Sequence, residues 1–188
     1  MVLKIEVSKT VDELKKFNII LYPTDTVWGI GCDATSEEAV EKIFKIKKRS
    51  ESKSLIILVD GLEMLQKYIP KISKPVFNYI QRISKPTTII YNNPSGLAKN
   101  VVAKDNTVAI RIVRNDFCKQ LITKFEKPIV STSANISNNP TPKSFKEIET
   151  SILDSVDYIV DLQREEINEK SSTILKIGDN GELIVLRD

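Results

Sequence analysis

The sequence predicts a mixed α/β fold. Three observations carry this: strands and helices interleave along the whole chain, several strand-like runs follow one another directly, and the last segment has the pattern of a hairpin. Interleaving alone would favour a parallel sheet, whereas neighbouring strands and a terminal hairpin bring in antiparallel pairs.

Ile19 to Tyr22 reads as a short buried strand that stops at Pro23, followed by a polar loop that runs into Gly29-Ile30-Gly31. "TSEEAVEKIFKIKKR" is the first strongly signalled helix. Ser36 can cap it, Glu37 and Glu38 suit its positive end, and Val40, Ile43 and Phe44 form its inward stripe. Ser54 to Val59 is a strand, with helices predicted near Leu62 to Tyr68 and from about Pro75 to Ile83. "TTIIY" and "TVAIRIV" are β-rich, and Phe117, Leu121, Ile122 and Phe125 mark a helical face. "KPIVSTSAN" is a strand entering a polar loop. In "TPKSFKEIETSIL" Thr141 is the expected cap and Pro142 the first helical residue. "STILKIGDNGELIVLR" reads as a hairpin closed around Asp179 to Gly181. No repeat, low-complexity tract or linker divides residues 1–188, so one domain without a second C-terminal domain is expected.

A chain of 188 residues is long enough to bury roughly two thirds of its unfolded surface without covalent cross-links. Its two cysteines, Cys32 and Cys118, lack metal-ligand spacing, and it has no histidine, which excludes His-based zinc sites and Ser-His or Cys-His catalytic pairs. The N-terminus lacks a signal-peptide core, and no window approaches the ~20 apolar residues of a membrane span. A soluble cytoplasmic protein is expected. Its 28 basic and 25 acidic residues give a net charge of +3, far from that of a nucleic-acid coat, and leave anionic small molecules as plausible partners.

Four clusters could carry chemistry, since open α/β sheets place ligands at strand ends. In "PTDTVWGIG", Asp25 and the threonines either satisfy their own turn or face a ligand; its two glycines do not make a dinucleotide fingerprint. Lys47 continues the stripe of Val40, Ile43 and Phe44, and with Arg49 and Lys53 places three cations within seven residues, as a triphosphate would require. Against that, Lys47 could simply snorkel at a helix C-terminus. The hydroxyls and amide of Ser131 to Asn135 leave a strand end together, or are only solvated. Arg111, sharing a strand face with Ala109, is partly enclosed and needs an anion, either a structural carboxylate or that of a substrate.

Taken together, "LYPTDTVWGIG", the K-x-R of Lys47-Lys48-Arg49, "VAIRI", the S-x-N of Ser133-Ala134-Asn135, "PTP" and the late "SST" with "LR" resemble the YrdC/Sua5 family of threonylcarbamoyl-AMP synthases. The resemblance runs in order from about Ile5 to Arg187, and the K-x-R with S-x-N tetrad is its most specific part. It implies a twisted mixed sheet with flanking helices around a large, concave, positively charged cavity. The implied reaction joins L-threonine to bicarbonate or CO2 and transfers the resulting carboxylate to the α-phosphate of ATP, releasing pyrophosphate. Phosphoryl chemistry of this kind depends on positioning and charge neutralisation, so the lack of histidine is no obstacle.

By the same resemblance, Arg49, Lys53, Thr107, Ser133, Thr141 and Arg187 would hold ATP, and Thr26, Arg111, Ser131 and Ser172 would hold threonine. Lys47, Arg49, Ser133 and Asn135 would form the catalytic tetrad. Mg2+ would accompany ATP without evident protein ligands, and the product would pass to tRNA threonylcarbamoyl-transfer proteins, with direct tRNA contact a further possibility and no membrane role. The chain departs from the family pattern at Ser50, where proline is usual, at Ser137-Asn138-Asn139, and at Leu58, where some two-domain members have a histidine. It ends one residue after Arg187, without the usual Arg-Pro-Gly. The competing readings are a non-catalytic RNA-binding module, disfavoured by the near-neutral charge and few aromatics, and a paralogue with another substrate.

Overall fold

The structure is a computed structural model that describes residues 1–48, 55–168, 171–178 and 180–188. Arg49, Ser50, Lys53, Ser54 and Asp179, all named in the sequence reading, lie outside the described residues.

Helix α1 (Val2–Lys15) opens the fold, where the sequence reading placed no element. Val7, Val11 and Leu14, at i, i+4 and i+7, give the helix its buried side. The signal was weak because α1 is rich in β-branched residues, its cap makes no side-chain bond, and its first turn holds no acidic residue. Tertiary contacts supply what propensity lacks. α1 packs against α5 (Asp116–Phe125), and its buried Glu6 accepts hydrogen bonds from Tyr158 Oη at 2.8 Å and Asp161 N at 3.1 Å. Burial pushes the Glu6 carboxyl up, but those donors and Lys9 outweigh it and hold the pKa below the usual carboxylate value.

Strand β1 (Ile20–Tyr22) pairs antiparallel with β2 (Gly29–Gly31), so the glycine-bracketed segment expected to be loop ends in a strand. The glycines allow this by close packing. A Cβ on Gly31 would sit 2.4 Å from the Val130 carbonyl oxygen and 2.6 Å from Tyr22 Cε1, and one on Gly29 would sit 3.0 Å from Ser131 Oγ. Gly31→Ala is therefore expected to destabilise the protein by about 1–3 kcal/mol, the usual cost of overpacking. An unchanged urea midpoint for that variant would show that β2 can shift away from its neighbours.

Helix α2 (Glu37–Ile46) begins at Ser36, whose side chain accepts the Ala39 N–H, and buries Val40, Ile43 and Phe44 as its stripe predicts. Next come β3 (Ile56–Val59), α3 (Leu62–Tyr68), α4 (Lys74–Arg82), β4 (Thr87–Asn92) and β5 (Thr107–Ile112). β6 (Ile129–Ser133) follows α5 and takes Ser131, Thr132 and Ser133 into the strand itself.

The helix expected from Thr141 and Pro142 is not there. In its place are a single 3-10 turn at Phe145–Glu147 and the short α6 (Thr150–Leu153). Ser144 bridges to Ile167 and the Lys143 carbonyl accepts the Asn168 N–H at 2.8 Å, so backbone that a helix would use is paired across the chain. Phe145 is meanwhile drawn onto Trp28, with ring centroids 5.0 Å apart. The two-residue β7 (Tyr158–Ile159) follows, and β8 (Thr173–Ile177) and β9 (Leu183–Arg187) form the expected terminal hairpin.

The strands form one sheet in the order β7-β1-β2-β6-β3-β5-β4-β8-β9. Parallel pairs β1–β7, β3–β5 and β4–β8 are set among antiparallel ones, which is the mixed sheet that neighbouring strands and a terminal hairpin predicted. Among the described residues, no helix is long and apolar enough to cross a membrane.

Candidate active site

The order of the central strands places polar positions of β4, β5 and β6 on one face, where they line a cavity of about 330 Å³. β4 and β5 contribute Thr88, Ile90, Ala109 and Arg111, and β6 contributes Ser131 and Ser133. The loop between β1 and β2 adds Thr26 and Trp28. Thr141, Ser172 and Arg187 close the other sides.

The loop is held by its own hydroxyls, as turn chemistry leads one to expect, but Thr24 does this and Asp25 does not. Thr24 Oγ1 accepts the Thr26 N–H at 3.0 Å and donates to the Val27 carbonyl at 2.8 Å, which fixes Thr26 toward β5. Arg111 Nη1 donates to Thr26 Oγ1 at 3.2 Å. Asp25 Oδ1 lies 3.0 Å from Arg111 Nη2, with side-chain exposures of only 9% and 4%, and Asp25 Oδ2 accepts the Arg114 N–H at 3.2 Å. The anion that Arg111 required is thus a structural aspartate. Arg111 Nε is buried and has no hydrogen-bond partner among the described residues, so an unpaired donor remains on the guanidinium.

Across the cavity, Ser172 Oγ and Thr88 Oγ1 share a hydrogen bond of 2.9 Å, and Arg187 Nη2 donates to the Ser172 carbonyl at 2.8 Å. Burial, and then the charge of Arg111, lowers the Arg187 pKa, as expected where two guanidinium groups approach one cavity. No carboxylate is among the described residues that line it. An entering anion would relieve that repulsion.

Lys47 does not snorkel. It is 1% exposed, and its Nζ donates to the Ser133 carbonyl at 2.5 Å, the Asn135 carbonyl at 2.7 Å and Asn135 Oδ1 at 3.3 Å. Ser133 Oγ donates to the same Asn135 Oδ1 at 2.5 Å, and Asn135 Nδ2 donates to the Asn139 carbonyl at 2.6 Å. The described part of the tetrad is therefore one connected network. Ser133 faces the cavity, while Lys47 and Asn135 stand behind its wall.

All four residues assigned to threonine, Thr26, Arg111, Ser131 and Ser172, line this cavity, as do Ser133, Thr141 and Arg187 of the nucleotide set. Thr107 takes the next same-face position of β5 beyond Ala109, but its hydroxyl donates to Asp105 at 2.7 Å and it does not line the cavity. Asp25, Thr88 and Trp28 were not singled out as site residues by the sequence reading. Asp25 and Trp28 stood in a quoted motif, whereas Thr88 carried no signal beyond strand propensity. Leu58 is fully buried and stands opposite Arg111 in the β3–β5 register. Both thiols are buried, Cys32 beside Asp33 and Cys118 beside Asp25; burial first and those charges second push them well above the usual range and keep them neutral.

The Sua5/YciO/YrdC family model, described as telomere recombination, matches residues 12–188. The chain belongs to the Sua5/YciO/YrdC family. It is 35% identical over 153 residues to a threonylcarbamoyl-AMP synthase from Pseudoalteromonas translucida, covering 79% of this chain and 81% of that protein. It is 33% identical over 189 residues to a putative threonylcarbamoyl-AMP synthase from Methanocaldococcus jannaschii, covering 97% and 87% respectively. In structure it is similar to P. abyssi Sua5 complexed with L-threonine, with a TM-score of 0.85, 25% identity and 96% of this chain covered. The match takes in 53% of the Sua5 chain, so this sequence spans about half the length of that relative. The Sua5/YciO/YrdC fold thus accounts for the twisted mixed sheet with flanking helices implied by the motifs.

Proposed function

We propose that the chain is a threonylcarbamoyl-AMP synthase, a nucleotidyltransferase that makes threonylcarbamoyl-AMP and pyrophosphate from L-threonine, bicarbonate or CO2, and ATP. The observation that carries this is the convergence of Thr26, Arg111, Ser131 and Ser172, from four separate segments, on one cavity. A guanidinium lining the cavity with three hydroxyls suits an amino-acid carboxylate and a side-chain hydroxyl. Family membership and the names of the relatives support the same reading.

In this reading the threonine amine takes up the carbon of CO2 to give N-carboxythreonine. Its new carboxylate attacks the α-phosphorus; a P–O bond forms, the bond to the β-phosphate bridging oxygen breaks, and pyrophosphate leaves. Thr141, Arg187 and Ser133 contact the nucleotide, with Arg49, Lys53 and Thr107 assigned to it by family resemblance. Lys47 and Asn135 act as positioning residues that hold the end of β6. Any positive charge of the complete cavity is part of this proposal.

Among the described residues there is no group of three or more Cys, Asp or Glu side chains arranged to hold a metal. Mg2+ is therefore assigned to the triphosphate and water, and no step depends on a protein ligand to it. A cytoplasmic role in tRNA threonylcarbamoyladenosine formation, with transfer of the product to partner proteins, completes the proposal. The test is to incubate the chain with ATP, Mg2+, L-threonine and bicarbonate and to measure pyrophosphate and the adenylate. Threonine-dependent formation of both is expected, and its absence would sink the reading.

A further inference from the structure

We propose that Asp25 makes the amino-acid end of the cavity selective for a zwitterion over a bare carboxylate. This rests on the amino-acid site proposed above. Arg111 is buried, and its Nη2 lies 3.0 Å from Asp25 Oδ1, so the two charges enter the fold as a neutral pair. Asp25 is held from its other side by the Arg114 N–H, and the neighbouring Thr26 is held by Thr24, so neither partner of Arg111 is left loose. Arg187, the other cation lining the cavity, is bound to the Ser172 carbonyl and is assigned to the nucleotide, so the charge balance that follows is that of the cavity with ATP bound, where the phosphates match Arg187.

An arginine alone at this position would attract any small monoanion. Beside Asp25, a bare carboxylate that reaches Arg111 leaves one net negative charge in a poorly solvated site, which is costly. An amino acid brings its own ammonium and adds no net charge. Asp25 therefore contributes rejection of ligands that lack the amine, a repulsive element alongside the attractive one supplied by Arg111.

The experiment compares L-threonine with 3-hydroxybutyrate, which is threonine without its amine, by calorimetry on the full chain and on Asp25→Asn and Asp25→Glu, each saturated with a non-hydrolysable ATP analogue so that Arg187 is matched by phosphate. In the wild type 3-hydroxybutyrate is expected to bind at least about tenfold more weakly than threonine. In Asp25→Asn that ratio should fall by about tenfold or more through tighter 3-hydroxybutyrate binding, and in Asp25→Glu it should be largely restored. A ratio left unchanged in Asp25→Asn, with both ligands weakened in proportion, overturns the proposal and makes Asp25 only a brace for its loop. Near-equal affinities of the wild type for the two ligands would overturn it as well, and should Asp25→Asn fail to fold a second variant takes its place. Asp25→Ser, which also removes the charge, is then read in place of Asp25→Asn: a fall in the ratio supports the proposal and an unchanged ratio overturns it, whereas a wild type that binds neither ligand overturns the amino-acid site itself.

Discussion

Lys47→Met is expected to lower the unfolding free energy by about 3 kcal/mol or more and to abolish threonine-dependent pyrophosphate release, because a buried acceptor left without its donor costs roughly 1–3 kcal/mol. Methionine keeps most of the volume and removes the ammonium, so the Ser133 carbonyl and both oxygens of Asn135 lose their Lys47 donor. The backbone contact from Ser137 N to the Lys47 carbonyl, 2.9 Å, survives the change. Among the described residues, the loss falls on the link between the end of α2 and the end of β6. A thermal midpoint lowered by about 6–12 °C is expected, from roughly 2–4 °C per kcal/mol for a chain of this size. A variant that melts like the wild type and still releases pyrophosphate would show that β6 holds its hydroxyls in place without the lysine.

Arg111→Lys should weaken threonine binding by about 10–150-fold while ATP binding changes little, because a fork that makes charge-assisted hydrogen bonds is replaced by a single ammonium. The lysine keeps a cation beside Asp25, whereas Arg111→Ala would strand a buried carboxylate and cost about 3–5 kcal/mol of stability in addition. Calorimetry with each ligand separates the two roles. A loss of ATP binding with threonine binding unchanged would contradict the assignment of Arg111 to the amino acid.

Several elements were legible because one local signal sufficed for each. α2 has a capping serine, acidic first-turn residues and an apolar stripe, all within one segment. The terminal hairpin needed only two β-rich runs and a turn between them. α1 and the segment after Thr141 were misread for opposite reasons. In α1 propensity was poor and packing against α5 supplied the stability, while at Thr141 a good cap pattern lost to backbone pairing with residues 167–168. Gly31 carried a signal that could be read only as freedom of the backbone. Its necessity comes from Tyr22 and Val130, which leave no room for a Cβ.

The sequence by itself determined the order of the elements from α2 to β6 and the terminal hairpin, the mixed character of the sheet and, through motifs in a fixed order, which side chains to seek at the site. It also determined that Arg111 needs an anion and that Lys47 lies on the apolar side of its helix. Only the tertiary structure decided which partners they have. Thr26 and Arg111 are 85 residues apart and Lys47 and Asn135 are 88 apart, so no local pattern could join them. Sheet order brought β5 beneath the loop after β1, where Asp25 neutralises the arginine, and set the end of β6 against the end of α2, where Lys47 is bonded to Ser133 and Asn135. Low-range chemistry between neighbours in sequence is written in the chain; the pairing of buried charges depends on which strands lie side by side, because in a poorly solvated interior each charge must be matched by whatever the fold places within a few ångströms.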